Sequence, residues 1–248
     1  SGTVVEARSS TASGLRTQRI VAGPAREFTM VVDNDYVRTS REVDGVTISV
    51  YTEPEVAIEL ADQVLDIAAR SLAVFGELFG PYPYTELDIV QTRLDGALAV
   101  SWAGIIFIDG PAMLNRMAVE DALGMETILA HEVAHLWWGS MVGSNSNDHT
   151  FINEGLATLS SILYLEETVG PEAAAMAREQ WMLKPARWLV QNGDAVTDLP
   201  AGELDPGVWS AAVYGKGSLG FEAIRREIGD EAFIAALSPF ADEHQFRN

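Results

Sequence analysis

Short alternating runs of hydrophobic and polar residues fill the first 54 positions, a pattern typical of β-strands. Each run is rich in residues that favour strands and is bounded by Ser, Gly, Pro, Asp or Asn. Asp44-Gly45 stands between two such runs and predicts a hairpin turn. The set is small for a free-standing sheet domain, so we interpret it as the last strands of a larger β-rich domain. The predicted strands are Thr3–Ala7, Leu15–Ala22, Arg26–Val32, Tyr36–Glu42 and Val46–Thr52.

After Pro54 the spacing of hydrophobic residues becomes that of helices and buried strands. It is helical from Glu55 to Phe79, and Gly80-Pro81 then ends the predicted helix. A polar stretch from Gly139 to His149 predicts a loop between two later helices. The pattern predicts a strand at Glu86–Thr92 and, as two strands or one bent strand, Ala97–Trp102 and Gly104–Ile108. The predicted helices are Val119–Trp138, Phe151–Thr168, Pro171–Leu183, Ala186–Val190, Val208–Ile228 and Glu231–Ala241.

Composition excludes several classes of function. The formal net charge of −20 argues against a nucleic-acid partner and against binding to anionic membrane surfaces. No uninterrupted apolar run reaches the length of about 18 residues that a membrane-spanning helix needs. Cysteine is absent, so the fold needs no disulfides, and the cellular compartment stays open.

Two histidines and a distant glutamate form a pattern typical of a metal site. His131 and His135 are four positions apart in a predicted helix, so their imidazoles lie on one face. Glu132 between them completes a His-Glu-x-x-His motif. Glu154 follows His135 by 19 positions, which leaves room for the next helix to supply a third ligand. Two imidazoles, one carboxylate and an open fourth position are typical of a catalytic zinc site, so we predict one Zn²⁺ per chain.

The residues around this motif suit hydrolysis. Zinc lowers the pKa of a bound water to about 7, and Glu132 directly follows a ligand, so its carboxylate can take the proton of that water. Tyr214 stands in Val213-Tyr214-Gly215-Lys216-Gly217, at the start of a helix rich in small residues. Its hydroxyl can donate a hydrogen bond to an oxyanion, although a tyrosine at a helix start also suits a purely structural role. We predict Glu132 as general base and Tyr214 as oxyanion stabiliser.

With these residues in place, the chain resembles the zinc aminopeptidases typified by aminopeptidase N and leukotriene hydrolase, which are gluzincin metallopeptidases. The resemblance covers residues 55–248. It implies an α+β fold, a thermolysin-like catalytic domain in which a small mixed sheet packs on a helical lobe with zinc between them. Residues 1–54 are then the C-terminal strands of a β-rich N-terminal domain. The matching segments are His131 to His135, Trp137-Trp138-Gly139, Asn153 to Ala157, Gly80 to Tyr84 and Tyr214 to Gly217.

One position departs from the family pattern. The family carries Gly-x-Met-Glu-Asn on the edge strand of its sheet, where the substrate binds as an added strand and the Glu binds its free α-amine. Aligned on Gly104-Ile105-Ile106, this chain has Ser101 in place of that Glu. A serine hydroxyl cannot pair with an ammonium group as a carboxylate does, so the resemblance implies that the amine anchor is lost. We predict Ala99, Ser101 and Trp102 as substrate-binding residues.

The resemblance implies a zinc metallopeptidase that acts on peptides, either as an exopeptidase or as an endopeptidase. Two alternatives stay open: a zinc-bearing binding or scaffold module that has lost turnover, and a hydrolase of a non-peptide substrate. Binding alone needs neither Glu132 nor Tyr214. The family also implies further domains in the native protein, and analogy favours secretion or the cell surface. The candidate hydrogen-bond partners of the zinc histidines are Asp148, Asn153 and Thr158.

Overall fold

The computed structural model describes residues 2–56, 58–111, 113, 122–145, 147–200 and 202–247, and it combines two small sheets with a set of helices. The strands are β1 Thr3–Ser9, β2 Arg16–Val21, β3 Val37–Val43, β4 Val46–Thr52, β5 Glu86–Thr92, β6 Ala99–Trp102 and β7 Ile105–Asp109. The helices are α1 Ile58–Phe79, α2 Ala122–Ala134, α3 Thr150–Thr168, α4 Pro171–Arg178, α5 Lys184–Gln191, α6 Pro206–Ser210, α7 Gly217–Ile228 and α8 Asp230–His244.

The larger sheet has five strands in the order β3-β4-β5-β7-β6. β3 and β4 form a hairpin through Asp44 and Gly45, both at positive φ, as a tight hairpin turn requires. Helix α1 connects β4 to its parallel neighbour β5, and β5 pairs in parallel with β7. β6 runs antiparallel to β7 and lies at the edge. The sheet is therefore mixed, as predicted.

Alternating residues separate the two faces of this sheet. Ile48, Leu87 and Ile106 enter the main core, which the helices complete. Val90 and Phe107 belong to a smaller cluster on the other face, together with aromatic residues of neighbouring strands and loops. Because both faces of the sheet carry buried residues, its central strands are strongly hydrophobic in the sequence.

An aromatic cluster fixes the end of α2 against α1. Phe75 and Phe79 stack with ring centroids 5.2 Å apart, and the ring of Trp137 meets both edge-on at 6.0 and 6.1 Å. The ring centroid of Trp138 lies 4.8 Å from that of Phe79. The indole N–H of Trp137 donates to the carbonyl of Gly80 at 3.0 Å, so the buried ring leaves no unsatisfied donor. This packing positions the residues that directly precede Trp137 and Trp138 in the sequence.

Helix α3 runs through the helical lobe and packs against both α2 and α7. Gly155 permits the close approach of α7, because a Cβ at this position would lie 3.0 Å from the backbone of Gly217 and from the ring of Phe221. Two π-helical segments, Glu179–Leu183 and Ala211–Lys216, join α4 to α5 and α6 to α7. Such segments widen the helical turn and are frequent at functional sites.

The structure confirms most of the predicted elements and corrects one strand. Glu86–Thr92 forms β5 with the predicted bounds, and the helices follow the predicted order. Val119 to Asp121, the predicted start of the α2 helix, lie outside the described residues. The strand prediction for Arg26–Val32 is wrong, because this segment pairs with no strand among the described residues. Instead, the Glu27 carboxylate accepts a hydrogen bond from the backbone N–H of Ala103 at 2.9 Å.

The sheet also shows where the strands of residues 1–54 belong. β1 and β2 form a separate two-stranded sheet. β3 and β4, which the sequence predicts as the last strands of a preceding β domain, share the sheet of β5 to β7, with Val50 aligned to Ile89. A hydrophobic pattern identifies a strand but not the sheet that it joins. The division into domains at residue 54 stays a prediction, and its boundary separates β4 from the helix that packs on it.

Candidate active site

The three side chains predicted as metal ligands converge where α2 and α3 meet. His131 lies in the last turn of α2, His135 directly follows this helix, and Glu154 lies near the start of α3. The Nε2 atoms of the two histidines are 3.0 Å apart, and Glu154 Oε2 lies 3.2 Å from His131 Nε2 and 3.1 Å from His135 Nε2. Within the described part of the chain, these residues form the one group of three such side chains that could hold a metal ion.

The spacing and chemistry of these atoms fit zinc. Bonds of about 2.0–2.1 Å in a tetrahedral arrangement place ligand atoms about 3.3–3.4 Å apart, close to the observed separations. The side chains are only 15, 14 and 19% exposed for His131, His135 and Glu154. Imidazole nitrogen and carboxylate oxygen are both ordinary zinc donors. Three protein ligands would leave a fourth position for water or substrate, as a catalytic zinc site requires.

Glu154 dominates the electrostatics of the cluster. Burial acts to raise its pKa, but the charge of His135 and hydrogen bonds with both histidines lower this pKa well below its usual range. Burial acts to lower the pKa of His135, but the charge and hydrogen bond of Glu154 outweigh it and raise this pKa to about 9. The cluster therefore favours a positive charge, which either a proton or a metal ion can supply.

A tight turn after α2 orients His135. The Nδ1 atom of His135 lies 3.0 Å from the carbonyl oxygen of Trp138, and as an N–H donor it leaves Nε2 free to bind a metal. Gly139 follows with φ of 138°, a conformation that residues with a Cβ avoid. The N–H of Gly139 donates to the carbonyl of Val142 at 2.8 Å and closes the turn. The backbone therefore fixes the direction of the imidazole.

Residues that are far from this turn in the sequence, on both sides of it, contact the turn. The backbone N–H of Phe246 donates to the carbonyl of Met141 at 2.8 Å. The guanidinium of Arg26 packs directly on Gly143, where a Cβ would displace it, and donates to the carbonyl of Arg247. The turn that carries the Trp138 carbonyl is thus held by tertiary contacts as well as by its own hydrogen bonds.

The candidate partners of the zinc histidines occupy different positions. Thr158 Oγ1 lies 3.4 Å from His131 Nδ1, so this residue is near the second ring nitrogen. Asn153 instead accepts a hydrogen bond from the Ser144 hydroxyl at 3.0 Å. Asp148 accepts from the side-chain amide of Asn145 at 2.6 Å. The hydrogen-bond partner of the His135 ring is a backbone carbonyl, which a pattern of residue types in the sequence cannot predict.

Glu132, the predicted general base, is 7% exposed and lies beside the ligands on α2. Its carboxylate accepts a hydrogen bond from the hydroxyl of Ser101 at 2.5 Å. Ser101 Oγ also lies 2.9 Å from the backbone carbonyl of Glu132. The edge strand and the metal-binding helix therefore meet at the predicted base.

Tyr214, the predicted oxyanion stabiliser, lies beside the same cluster. Its ring centroid is 5.9 Å from that of His131, and Trp209 packs edge-on against its other side at 5.8 Å. Burial raises the pKa of Tyr214 far above its usual value, and the charges of Glu154 and Glu132 raise it further. The phenol therefore keeps its proton and remains a hydrogen-bond donor throughout the physiological pH range.

The π-helical segment around Tyr214 is anchored from outside the cluster. Lys216 donates to the carboxylate of Asp194 and to the carbonyl of Ala195, both at 2.8 Å. A Cβ on Gly215 would lie 2.9 Å from Pro185 Cβ, so this glycine permits close packing on α5. These contacts explain why a glycine and a lysine follow Tyr214 in the sequence.

The predicted substrate-binding residues lie on β6 but face different sides. Ala99 packs against the main core on the side of the helices, and Ser101 faces α2. Trp102 is turned to the opposite face, where its ring meets Phe107 at 5.3 Å. Successive residues of a strand point to opposite faces, so Ser101 reaches Glu132, beside the metal cluster, and the Trp102 ring does not. β6 is the edge of its sheet and can accept an added strand.

Trp209 is a neighbour of the site that the sequence patterns did not indicate. Its indole Nε1 is buried without a hydrogen-bond partner among the described residues. His149, at the start of α3, pairs with Asp198 at 2.5 Å and not with the metal cluster. A motif identifies the ligands, whereas such neighbours follow from tertiary packing.

Comparison with known proteins agrees with this geometry. Residues 63–248 match the peptidase family M1 domain, which covers more than half of the chain. The chain belongs to peptidase family M1. Among related M1 proteins, aminopeptidase M1 of Arabidopsis thaliana is 27% identical over 227 residues, covering 86% of this chain and 25% of that protein. Aminopeptidase N of Lactobacillus delbrueckii subsp. lactis is 27% identical over 226 residues, covering 85% of this chain and 26% of that protein.

Solved M1 structures share the fold over the whole chain. An M1 zinc metallopeptidase from Deinococcus radiodurans has a TM-score of 0.67 and 23% identity, covering 100% of this chain and 53% of that one. A mutant of a two-domain M1 zinc metallopeptidase bound to L-arginine has a TM-score of 0.71 and 22% identity, with the same coverage. The α+β, thermolysin-like assignment is therefore confirmed, and so is the family.

This M1 chain is shorter than the proteins that it resembles. It spans about a quarter of the length of the curated relatives described above. Among the described residues, none of the helices has both the length and the apolar character needed to cross a bilayer.

Proposed function

We propose that this M1 chain is the catalytic part of a zinc-dependent metallopeptidase that hydrolyses peptide bonds. The observation that carries the proposal is the triangle of His131, His135 and Glu154 donor atoms, with separations of 3.0–3.2 Å. Zinc held by these residues would lower the pKa of a water molecule and polarise the substrate carbonyl. The remaining steps depend on two further residues of the chain.

Glu132 acts as the general base in this proposal. It lies next to a metal ligand in sequence, it is buried, and it does not belong to the ligand triangle. Its carboxylate takes the proton of the attacking water and delivers it to the leaving amine. A carboxylate in this place has no role in metal binding alone, which favours an enzyme over a binding or scaffold module.

Tyr214 acts as the oxyanion stabiliser. Its ring lies beside His131, and its raised pKa keeps the hydroxyl protonated. A neutral donor can hydrogen-bond to the developing oxyanion without giving up its proton, which lowers the barrier through electrostatic stabilisation. The anchored π-helical segment holds the ring in place before the substrate arrives.

The proposed substrate is a peptide whose α-amine is not held by a carboxylate of β6. The resemblance in sequence aligns Ser101 with the family's amine-binding Glu, and the Ser101 hydroxyl is engaged with Glu132. Glu27, which lies near the end of this strand, is engaged with the N–H of Ala103. The edge of β6 offers backbone groups to an extended peptide regardless of whether its N-terminus is free. We therefore propose that peptides blocked at the N-terminus are accepted.

Two measurements test the proposed activity. Metal analysis should find about one zinc per chain, and replacing either histidine should remove it. Glu132→Gln should keep the zinc and lower hydrolysis of an internally quenched peptide about 100- to 10,000-fold, the usual contribution of a general base. Glu77→Gln, on the exposed side of α1, is the matched control and should retain activity. Zinc binding without turnover of peptides in the wild-type protein would favour the binding-module alternative.

A second comparison tests the recognition of the amine. Aminoacyl reporters and N-blocked internally quenched peptides should be offered to the same preparation, with preference expected for the blocked peptides. Ser101→Glu should shift this preference toward the aminoacyl reporters. If the wild-type protein already cleaves aminoacyl reporters efficiently, another acidic group binds the amine and this part of the proposal is wrong.

A further inference from the structure

We propose that Ser101 is a positioning residue that holds the Glu132 carboxylate in its working orientation. This inference rests on the proposed function, in which Glu132 is the general base. It assigns Ser101 a role in place of the amine recognition that a glutamate would supply at this position. The evidence is the location of Ser101 on β6, the geometry of its hydroxyl and the burial of its partner.

The pleat of β6 points the Ser101 side chain at the metal-binding helix. Ser101 is opposite Ile106 in the pairing of β6 with β7, and Ile106 belongs to the core on the side of the helices. Val100 and Trp102, one residue before and after, belong to the cluster on the other face. Since residues alternate between the faces of a strand, the register directs Ser101 toward α2. β6 also packs directly on α2.

The Ser101 hydroxyl has two acceptors, and both belong to Glu132. It lies 2.5 Å from Oε2 of the carboxylate and 2.9 Å from the backbone carbonyl oxygen. A hydroxyl has one hydrogen, and the shorter contact has the length of a hydrogen bond to a charged carboxylate. The hydrogen is therefore donated to Oε2, which leaves the other carboxylate oxygen to accept a proton in the reaction.

This bond matters because it adds a directional restraint to the packing around the buried Glu132 side chain. Among the described residues, Ser101 is the one side chain with a hydrogen bond to the Glu132 carboxylate in this structure. A glutamate side chain loses several rotatable bonds when it is held in a single orientation, and general-base catalysis requires the carboxylate to be within hydrogen-bond reach of its proton. The strand that is expected to bind the substrate backbone thus also fixes the base.

Kinetics of two Ser101 variants separate positioning from substrate contact. Ser101→Ala should lower kcat for an N-blocked peptide about 10- to 100-fold, while KM changes less than about twofold. Ser101→Thr retains a hydroxyl and should restore most of kcat. Ser49→Ala is the matched control: it removes a buried hydroxyl of β4 that accepts from Arg38 and not from Glu132, so kcat and KM should keep their wild-type values. A rise in KM at constant kcat in Ser101→Ala, or no change at all, would overturn the proposal.

A second readout does not depend on activity. In the metal-free protein, Ser101→Ala, Glu132→Met and the double variant form a double-mutant cycle measured by thermal unfolding, because Met keeps the length of the side chain and has no oxygen that accepts from a hydroxyl. A direct bond predicts that the Tm shifts are not additive, with a discrepancy of about 3 °C or more for a chain of this size. Additive shifts would overturn the proposal. If no peptide is hydrolysed by the wild-type protein, the proposed function fails, whereas this cycle still decides whether Ser101 restrains Glu132.

Discussion

The raised pKa of His135 predicts that zinc affinity increases with pH up to about 9. Zinc binds the neutral imidazole, so a proton must leave His135 whenever the pH is below that value. At pH 7 the pKa lies about two units above the pH, which weakens the apparent binding of zinc by about 3 kcal/mol, or about 100-fold. Between pH 7 and pH 9 the apparent Kd should therefore fall about tenfold per unit, and above pH 9 it should level off.

The same shift affects the stability of the metal-free protein with the opposite sign. A folded-state pKa above the unfolded value of about 6.5 stabilises the fold below pH 6.5, and this contribution is lost as the pH rises through about 9. Zinc replaces the proton, so the increase in Tm that zinc produces should grow between these two pH values. Both effects come from the same imidazole and can be measured on one preparation.

Competition with a chelator of known affinity, corrected for its own protonation, measures the apparent Kd at each pH. Glu154→Gln removes the negative charge that raises the pKa of His135, so burial should then dominate and the slope between pH 7 and pH 9 should vanish. Overall affinity should also fall, because the amide is a poorer ligand than the carboxylate. Glu77→Gln on α1 should keep the wild-type slope. A flat wild-type profile, or a slope that survives in Glu154→Gln, would refute the reasoning.

Three further predictions concern catalysis and packing. Tyr214→Phe should lower kcat about 100- to 1000-fold with zinc content unchanged, and an unchanged kcat would exclude Tyr214 as the oxyanion donor. Gly215→Ala, whose Cβ would lie 2.9 Å from Pro185 Cβ, should lower the free energy of unfolding in urea by about 1–3 kcal/mol. Gly220→Ala is its control, since no atom lies within 4 Å of the added carbon, and an equal loss there would contradict the packing argument. Phe79→Ala, at a ring that is 1% exposed, should remove about 3–5 kcal/mol and lower Tm by about 6–20 °C in a thermal scan, and a smaller loss would mean that the aromatic cluster repacks.

The meeting of His131, His135 and Glu154 could be predicted because their spacing encodes their geometry. Four positions on one helix put His131 and His135 on the same face, and the next hydrophobic helix supplied Glu154. Helix α1 and strand β5 could be predicted for a similar reason, since α1 buries one side of a periodic pattern and β5 is a short hydrophobic run that is buried on both faces. Local sequence determines these features, so no knowledge of the tertiary structure was needed.

Other features depend on contacts that the local pattern does not contain. The acceptor for His135 is the backbone carbonyl of Trp138, and every residue has such a carbonyl. The bond between Ser101 and Glu132 requires the register of β6 to be known. Arg26–Val32 has the composition of a strand, but no neighbouring strand pairs with it among the described residues. Strand partners and second neighbours of a site are properties of the folded chain.

The turn after His135 links the metal ligand to segments far away in sequence. Phe246 bonds to the turn through its backbone, and Arg26 packs on the turn and bonds to Arg247. The imidazole direction therefore depends on more of the chain than the five residues of its motif. A substitution at Arg26 has no direct contact with the donor atoms, yet it can loosen the turn and hasten the loss of zinc while the protein is still folded. The rate of zinc loss should thus depend on the contacts that Arg26 and Phe246 make with the turn.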